Sequence, residues 1–227
     1  MALITQENFD FLKKLKENNN REWFTKHKNQ YLEQHQSIIE FADNVLTEVN
    51  KHDNIETPTG KKSLFRIYRD VRFAKDKSPY KTHWAGGLKR ATKQLRGGYY
   101  FHIEEGKSFV GGGFWSPNKE DLFRIREDIA YDAEPLRKII NSKSFKENFG
   151  TLKGEQLKTC PKGFNKEHPD IDLLRYKQHI VTKHFSDNDV LSSDFALKVS
   201  DTFKNMRPFF DYMSESVTTD LKGESIF

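Results

Sequence analysis

Apolar residues at helical spacing open the chain. After Thr5, a residue type that caps helix N-termini, the apolar positions are Phe9, Phe11, Leu12 and Leu15. Asparagines 18–20 then interrupt the pattern, because Asn tolerates the left-handed conformation in which helices end. A stripe that returns every seven residues from Phe24 to Val45 follows. These patterns predict N-terminal helices over residues 5–50, including one long helix from about residue 21 to about residue 50.

The middle of the chain has the composition of β-strands. Strand-like runs occupy residues 64–68, 83–90, 99–104 and 107–115, and the last two form a hairpin pattern around Glu105-Gly106. Eight of the 13 glycines lie between Gly86 and Gly113. Because glycine lets another group approach the backbone, the run 111–113 predicts contact with a ligand or with a crossing helix.

Helical patterns return after residue 115. Ser116-Pro117 has the residues of a helix start, and further helices are predicted near Asp132 and over residues 195–217, where Pro208 should break or kink the last one. This order predicts an α+β fold with an antiparallel sheet (about residues 64–115) packed against N-terminal and C-terminal helices. We expect a single domain over residues 1–227, with a C-terminal helical region over residues 116–222.

Composition supports a folded domain and narrows its class. The 227 residues include 19 Phe, which supply enough large side chains for a core and exclude disordered and collagen-like classes. The lone Cys160 excludes a disulfide framework and a thiolate metal cluster. The sequence shows no apolar run long enough to span a membrane and no signal peptide. We therefore expect a cytoplasmic protein with no membrane partner and no cofactor.

The positive charge is concentrated in one segment. Residues 61–96 contain twelve basic residues and two acids, a net charge of +10, which leaves −5 for the rest of a chain whose total is +5. Such a concentration attracts phosphates, carboxylates and polyanions. The alternative is that these side chains only solvate one face of the sheet.

Residues 65–82 hold the candidate ligand-binding side chains. These are Arg66, Arg69, Arg72, Lys75, Tyr80 and Lys81. An arginine side chain suits this role, because its planar fork binds a carboxylate or phosphate through two parallel hydrogen bonds. The alternative is an internal network in which Asp70 and Asp76 bind the arginines and brace the sheet.

His83 and His102 are the candidate catalytic residues. Both flank or lie in the predicted strands, and an imidazole titrates near neutral pH, as a general acid or base must. The alternative for each is a partly buried, hydrogen-bonded histidine. We predict no metal site, because the histidines and aspartates of residues 168–184 match no spacing typical of metal ligands.

Nucleic acid is the second candidate partner. Basic residues interleave with aromatic ones over residues 61–100, a composition typical of grooves that bind single strands. Against this interpretation, the sequence contains no helix-turn-helix, RNA-recognition or zinc-finger motif. Aromatic strands are also the ordinary composition of a sheet that packs on helices.

Several motifs together resemble a known family. They are Asn20-Arg21-Glu22-Trp23-Phe24, the Arg-rich run 65–73, Pro79-Tyr80-Lys81-Thr82, the run 98–103, Gly111-Gly112-Gly113 with Trp115-Ser116-Pro117, Pro161-Lys162-Gly163-Phe164, and the run 173–177. The chain resembles the conserved hypothetical proteins called domain of unknown function 2461, over roughly residues 9–210. The resemblance implies a single cytoplasmic domain that is common in bacteria. It implies no activity and carries over no catalytic residue.

Three classes of function stay open at this point. In the preferred one, Arg66, Arg69, Arg72, Lys81 and His102 line a cleft for a small phosphorylated or carboxylated ligand, with or without acid–base catalysis. The second is a nucleic-acid-binding protein, and the third is an interaction module with a structural arginine network. The sequence leaves open whether the protein is an enzyme, and it leaves open the oligomeric state.

Overall fold

The computed structural model describes residues 4–220 and 222–226, which form ten helices and a four-stranded antiparallel sheet. The helices are α1 (Gln6–Glu17), α2 (Arg21–Lys26), α3 (Lys28–Val49), α4 (Gly60–Ser63), α5 (Lys119–Tyr131), α6 (Glu134–Asn141), α7 (Lys143–Phe149), α8 (Ile171–Leu174), α9 (Asp187–Val190) and α10 (Phe195–Thr218). The strands are β1 (Trp84–Lys89), β2 (Gly98–Ile103), β3 (Phe109–Phe114) and β4 (His179–His184). The predicted α+β class is confirmed. Among the described residues, no helix is both long and apolar enough to cross a lipid bilayer.

The sheet has the strand order β1-β2-β3-β4 and differs at both ends from the predicted range of residues 64–115. The β2–β3 hairpin is confirmed. The strand predicted at residues 64–68 is wrong, because this segment forms only isolated bridges from Leu64 to Gly86 and from Tyr68 to Tyr80. Beyond Tyr68 the chain turns away, since Asp70 and Asp76 each accept a hydrogen bond from the amide two residues later. The fourth strand, β4, comes from a segment that the sequence did not predict as a strand.

The predicted helix over residues 21–50 is wrong as one continuous element. His27 leaves the helical conformation, with φ of −106° and ψ of 17°, and separates α2 from α3. Its ring stacks on Trp23 at a centroid distance of 4.0 Å, and its Nδ1 lies 2.8 Å from the Trp23 carbonyl oxygen. The His27 amide still donates to the Trp23 carbonyl at 3.1 Å, so α2 ends with a closed turn and α3 begins after it.

The C-terminal helices also differ in detail from their predictions. The helix expected at Ser116-Pro117 begins two residues later, because the side chain of Asn118 caps it by accepting a hydrogen bond from the Asp121 amide at 2.8 Å. Of the two outcomes predicted for Pro208, a break or a kink, the break is wrong, since α10 continues through this residue. A proline removes one backbone hydrogen-bond donor from a helix. Buried apolar residues on both sides of Pro208, such as Phe203 and Phe210, hold α10 in place by their packing.

The contacts of the chain divide it into two compact units, and each unit contains three separate segments. The first comprises the described residues up to Leu88, then Tyr100–Val110 and His184–Asp201. Its core includes Phe41, whose ring meets Phe101 edge-on at 5.6 Å and stacks on Phe195 at 5.3 Å. The prediction of a single domain over residues 1–227 stays a prediction.

The second unit comprises Lys89–Tyr99, Gly111–Lys183 and the described residues from Thr202 onward. Tyr99 packs in its core on Phe203 and Phe210 of α10, at centroid distances of 4.5 and 5.0 Å. The side chain of Arg90 is completely buried here, and its guanidinium binds Asp211 at 2.7 Å and the carbonyl oxygen of Arg96 at 3.1 Å. The carboxylate offsets the cost of burying the charge.

The glycine run 111–113 makes room for protein rather than for a ligand. A Cβ atom at Gly112 would lie 2.6 Å from Met206 Sδ and from Phe210 Cζ, both on α10. Gly113 has a φ of +138°, and a Cβ there would lie 2.1 Å from the carbonyl oxygen of His179 in β4. Of the two interpretations of this run, the structure shows the crossing helix.

We expect Gly113→Ala to destabilise the protein strongly, because the new methyl group would meet the backbone of β4 in addition to the backbone strain. Overpacking of this kind costs about 1–3 kcal/mol, on top of about 1–3 kcal/mol for the strained φ. Gly106→Ala is the control, since Gly106 also has a positive φ, of +69°, but a Cβ atom there would meet nothing within 4 Å. Urea denaturation measures both losses, and equal losses would contradict the close approach at Gly113.

Candidate functional site

Strand β2 presents two chemically different faces. Tyr99, Phe101 and Ile103 are buried, whereas the alternate residues Tyr100 and His102 are only half-buried and lie on the opposite face. This alternation follows from the pleat of a β-strand, in which successive side chains point to opposite sides. The open face therefore collects the polar side chains of β2.

The two predicted catalytic histidines lie together on this open face. His83 directly precedes β1, and its ring stacks on that of His102 at a centroid distance of 4.2 Å and an interplanar angle of 30°. Phe109 of β3 lies against His102 at 5.0 Å and 19°. The His102 ring thus contacts two stacked rings, and these fix its plane.

Hydrogen bonds fix the protonation of the His102 ring. Its Nε2 lies 3.3 Å from Glu104 Oε2, and its Nδ1 lies 3.1 Å from the Tyr100 hydroxyl. An ionised carboxylate only accepts hydrogen bonds. In the neutral ring, therefore, Nε2–H donates to Glu104 and Nδ1 accepts from Tyr100.

Both histidines favour the neutral form. Burial lowers the pKa of His83 to about 4, and the nearby positive charges of His102 and Lys81 act in the same direction, whereas Glu104 opposes them. Burial also lowers the pKa of His102, whereas the hydrogen bond that its ring donates to Glu104 and the charge of that carboxylate act in the opposite direction. At neutral pH both imidazoles are therefore uncharged, the form in which a histidine can accept a proton.

His83, His102 and Glu104 form what we call the His–Glu cluster. One nitrogen from each imidazole and one oxygen of the carboxylate all lie within 4.8 Å of one another. Glu104 also lines a neighbouring pocket of about 390 Å³, together with Thr82 and with Lys13 and Lys16 of α1. The cluster therefore has an accessible volume beside its carboxylate.

The predicted ligand-binding residue Lys81 lies close enough to His83 for its charge to lower the pKa of that histidine, and Lys81 in turn contacts Arg66. Lys81 Nζ donates a hydrogen bond to the Arg66 carbonyl oxygen at 2.7 Å and lies 5.7 Å from the centre of the Phe65 ring. That ring stacks on Tyr100 at 6.1 Å. Burial lowers the pKa of Lys81, and so does the charge of Arg66. We call Arg66 and Lys81 the cationic edge.

The other predicted arginines belong to an exposed segment, the basic loop (residues 69–79), whose base is closed by the Tyr68–Tyr80 bridge. Arg69 binds Asp76 at 2.5 Å, and Arg72 binds Asp70 at 2.7 Å. Lys75 is exposed in the same loop. Because Arg69 and Arg72 form ion pairs within the basic loop, they do not belong to the cationic edge.

Tyr80 is placed in the core rather than on the open face. It is 4% exposed, and its ring stacks on Phe24 at 4.1 Å. Its backbone is held by Asn19, whose side chain donates to the Tyr80 carbonyl at 2.9 Å and accepts from the Tyr80 amide at 3.1 Å. Asn19 thus anchors the base of the basic loop, a role that the sequence analysis missed.

Tyr100, Glu104 and Phe109 are the other residues of the site that the sequence analysis missed. The signal that could have found two of them is strand alternation. Tyr100, His102 and Glu104 are spaced two residues apart, which puts all three on one face of a strand. The two aspartates among the C-terminal residues 168–184 that were considered as metal ligands, Asp170 and Asp172, both form ion pairs with Arg137, at 2.6 and 2.7 Å.

The depressed pKa of His83 should make the stability of the protein depend on pH. A histidine in the unfolded chain titrates at about 6.5, whereas His83 in the folded protein titrates at about 4. Between these values the unfolded state binds more protons, so the free energy of unfolding should fall as the pH drops from about 6.5 to about 4. Urea denaturation at stepped pH measures this slope, and NMR titration gives the pKa of His83 directly.

His83→Asn should flatten this slope without removing it. The buried His179, whose pKa burial lowers to about 3, contributes over the same range. An unchanged slope in His83→Asn would contradict the assignment, as would an NMR pKa for His83 at the ordinary histidine value.

Comparison with known proteins gives one family match. The model of the family described as "Conserved hypothetical protein (DUF2461)" matches residues 7–212. No curated protein and no solved structure matches the chain. The match covers most of the 227 residues and includes the His–Glu cluster, the cationic edge and the basic loop. The chain therefore belongs to this family of conserved hypothetical proteins.

Proposed function

We propose that the protein binds a small phosphorylated or carboxylated ligand on the open face of the sheet. In this proposal Lys81 and Arg66 hold the anion, and His83 and His102 exchange a proton with it. The observation that carries the proposal is the stacked pair His83–His102, whose rings are 4.2 Å apart and close to the charge of Lys81. The free thiol of Cys160 supports the cytoplasmic location that we propose for the protein.

The charges of the cationic edge support the binding of an anion. Within the described part of the chain, neither Arg66 nor Lys81 forms an ion pair with a carboxylate, in contrast to Arg69 and Arg72. Two unneutralised cations at neighbouring positions repel each other, and the lowered pKa of Lys81 reflects this repulsion in addition to burial. A bound phosphate or carboxylate would relieve the repulsion and accept hydrogen bonds from both side chains.

The neighbouring groups support proton transfer. General acid–base catalysis needs a titratable group within hydrogen-bond reach of the reacting atom. The open face supplies imidazoles from His83 and His102 and a hydroxyl from Tyr100, which is hydrogen-bonded to His102. The contacts of His102 with Phe109 and His83 hold its ring in one orientation.

Thermal unfolding with inorganic phosphate, phosphomonoesters and dicarboxylates tests the binding site. A ligand at a hundredfold excess over its dissociation constant adds about 2.7 kcal/mol of stability. For a chain of this size the gain should raise the Tm by roughly 5–10 °C. We expect the rise to persist at moderate salt, because a small anion makes few ionic contacts.

Lys81→Ala should weaken this binding by about 10- to 100-fold, since a hydrogen bond to a charged group contributes about 1.5–3 kcal/mol. Lys75→Ala is the matched control, because it removes the same charge from the exposed basic loop. Equal losses in the two variants would contradict a site at the cationic edge, and so would the absence of a shift with every anion.

A second candidate function is the binding of single-stranded nucleic acid by the basic loop. Phe73 is 96% exposed, and the guanidinium of Arg72 lies 6.0 Å from its ring centre. Tyr68 and Phe65 are exposed nearby. Exposed aromatic rings among basic side chains are the groups on which unpaired bases stack. Three other aromatic residues of the basic and aromatic segment 61–100 are buried and cannot stack on a base. They are Tyr80, Trp84 and Tyr99.

Phe73→Ala should weaken binding to a short single-stranded oligonucleotide by about 5- to 150-fold, because stacking contributes roughly 1–3 kcal/mol per base. Tyr131→Ala is the control, since Tyr131 is a 75% exposed aromatic residue at the end of α5. Fluorescence anisotropy at several salt concentrations measures both affinities. Equal affinities for Phe73→Ala and the wild type would contradict this second candidate.

A further inference from the structure

We propose that the His–Glu cluster binds a divalent transition-metal ion, with one ligand each from His83, His102 and Glu104. The three side chains come from the segment before β1, from β2 and from the turn that follows β2, so three parts of the chain converge on one point. Their candidate ligand atoms all lie within 4.8 Å of one another.

The distances fit a tetrahedral ion with small adjustments. Zinc binds histidine nitrogen and carboxylate oxygen at about 2.0–2.2 Å, which places the ligands of a tetrahedral site about 3.4 Å apart. His102 Nε2 and Glu104 Oε2 already lie 3.3 Å apart. The widest pair of ligand atoms, at no more than 4.8 Å, must close by at most about 1.4 Å. Because Phe109 holds the His102 ring, this movement falls to the half-buried side chains of His83 and Glu104.

The ligand types select the class of metal. Two imidazoles and one carboxylate suit zinc, cobalt, nickel and ferrous ions, whereas magnesium and calcium prefer sites made of oxygen alone. Three protein ligands leave at least one coordination position open, as in catalytic zinc sites and unlike closed structural ones. The open position would face the side of the sheet on which the pocket next to Glu104 lies.

The surroundings of His102 already have the contacts that a metal-binding histidine needs. Such a histidine donates its second ring N–H to a neighbouring acceptor, which orients the ring. When Nε2 binds a metal, Nδ1 carries the proton, and the Tyr100 hydroxyl 3.1 Å away can accept it, since a hydroxyl serves as donor or acceptor. Lys107 lies 3.7 Å from Oε1 of Glu104, which leaves Oε2 for the ion.

The metal site rests on the proposed function only where a bound anion meets the ion, and it is an alternative to the proton transfer proposed for the two imidazoles. A metal ion would change the two imidazoles from proton carriers into ligands. It would also give a phosphate or carboxylate a positive partner in addition to Lys81 and Arg66. Metal binding can be measured without any anion, so the two proposals can fail separately.

Titration of chelator-treated protein with Co²⁺ tests the site directly. We expect one ion per chain, with visible absorption of tetrahedral or five-coordinate cobalt, and loss of this absorption when Zn²⁺ is added as a competitor. His102→Gln and Glu104→Gln should each weaken binding by at least tenfold. His184→Gln is the matched control, because His184 is an exposed histidine at the end of β4 that contacts Phe109. It should bind as the wild type does.

Tyr100→Phe tests the positioning role of the hydroxyl. This variant keeps the ring that stacks on Phe65 but removes the hydrogen-bond partner of His102 Nδ1. Loss of such a partner typically weakens metal binding by about 10- to 100-fold. A Co²⁺ affinity equal to that of the wild type would assign Tyr100 to packing alone and overturn this part of the proposal.

A measurement on the wild-type protein tests the site without variants, so a variant that fails to fold does not affect the result. Zn²⁺ should shift the NMR signals of the His83 and His102 rings and leave those of His184 in place. The proposal is overturned if Co²⁺ shows no coordination spectrum, if His102→Gln binds as tightly as the wild type, or if Zn²⁺ shifts other histidines instead. Phosphate binding by chelator-treated protein that takes up no metal would overturn the metal site alone. Metal binding without a phosphate response would overturn the anion site alone.

Discussion

The pleat of β2 is the constraint on which both the core and the candidate site depend. Its alternate residues Phe101 and Ile103 are buried, and Phe101 meets Phe41 edge-on at 5.6 Å. The residues that alternate with them, Tyr100, His102 and Glu104, lie on the other face and form the polar contacts of the site. A shift of register by one residue would bury the histidine and expose the phenylalanine, so the stability of the core also holds the site in place.

The basic segment divides into two parts with different electrostatics. In the basic loop, Asp70 and Asp76 bind Arg72 and Arg69, so much of the positive charge is balanced locally. Arg66 and Lys81 have no carboxylate partner among the residues that the structure describes. The net charge of the segment therefore overstates the number of cations available to a ligand. The informative feature is the position of Lys81 over the Phe65 ring, which itself stacks on Tyr100.

Local patterns predicted much of this fold, and contacts between distant segments account for the rest. The β2–β3 hairpin followed from alternation around Glu105-Gly106. Strand β4 was missed because only Ile180 and Val181 are strongly apolar in it, and the burial of His179 depends on tertiary packing. The sequence named His83 and His102 separately, but their contact requires β1 and β2 to be neighbours. The ion pairs of the basic loop, which separate Arg69 and Arg72 from Arg66, likewise depend on how the loop folds.

A crystal structure of the protein grown with Zn²⁺ and phosphate, with anomalous data at the zinc edge, would show whether the open face of β2 is the functional surface. We predict one anomalous peak about 2.0–2.2 Å from ligand atoms of His83, His102 and Glu104, with phosphate density on the side of Lys81. An empty cluster, with phosphate bound to the basic loop or elsewhere, would contradict the assignment of function to this face.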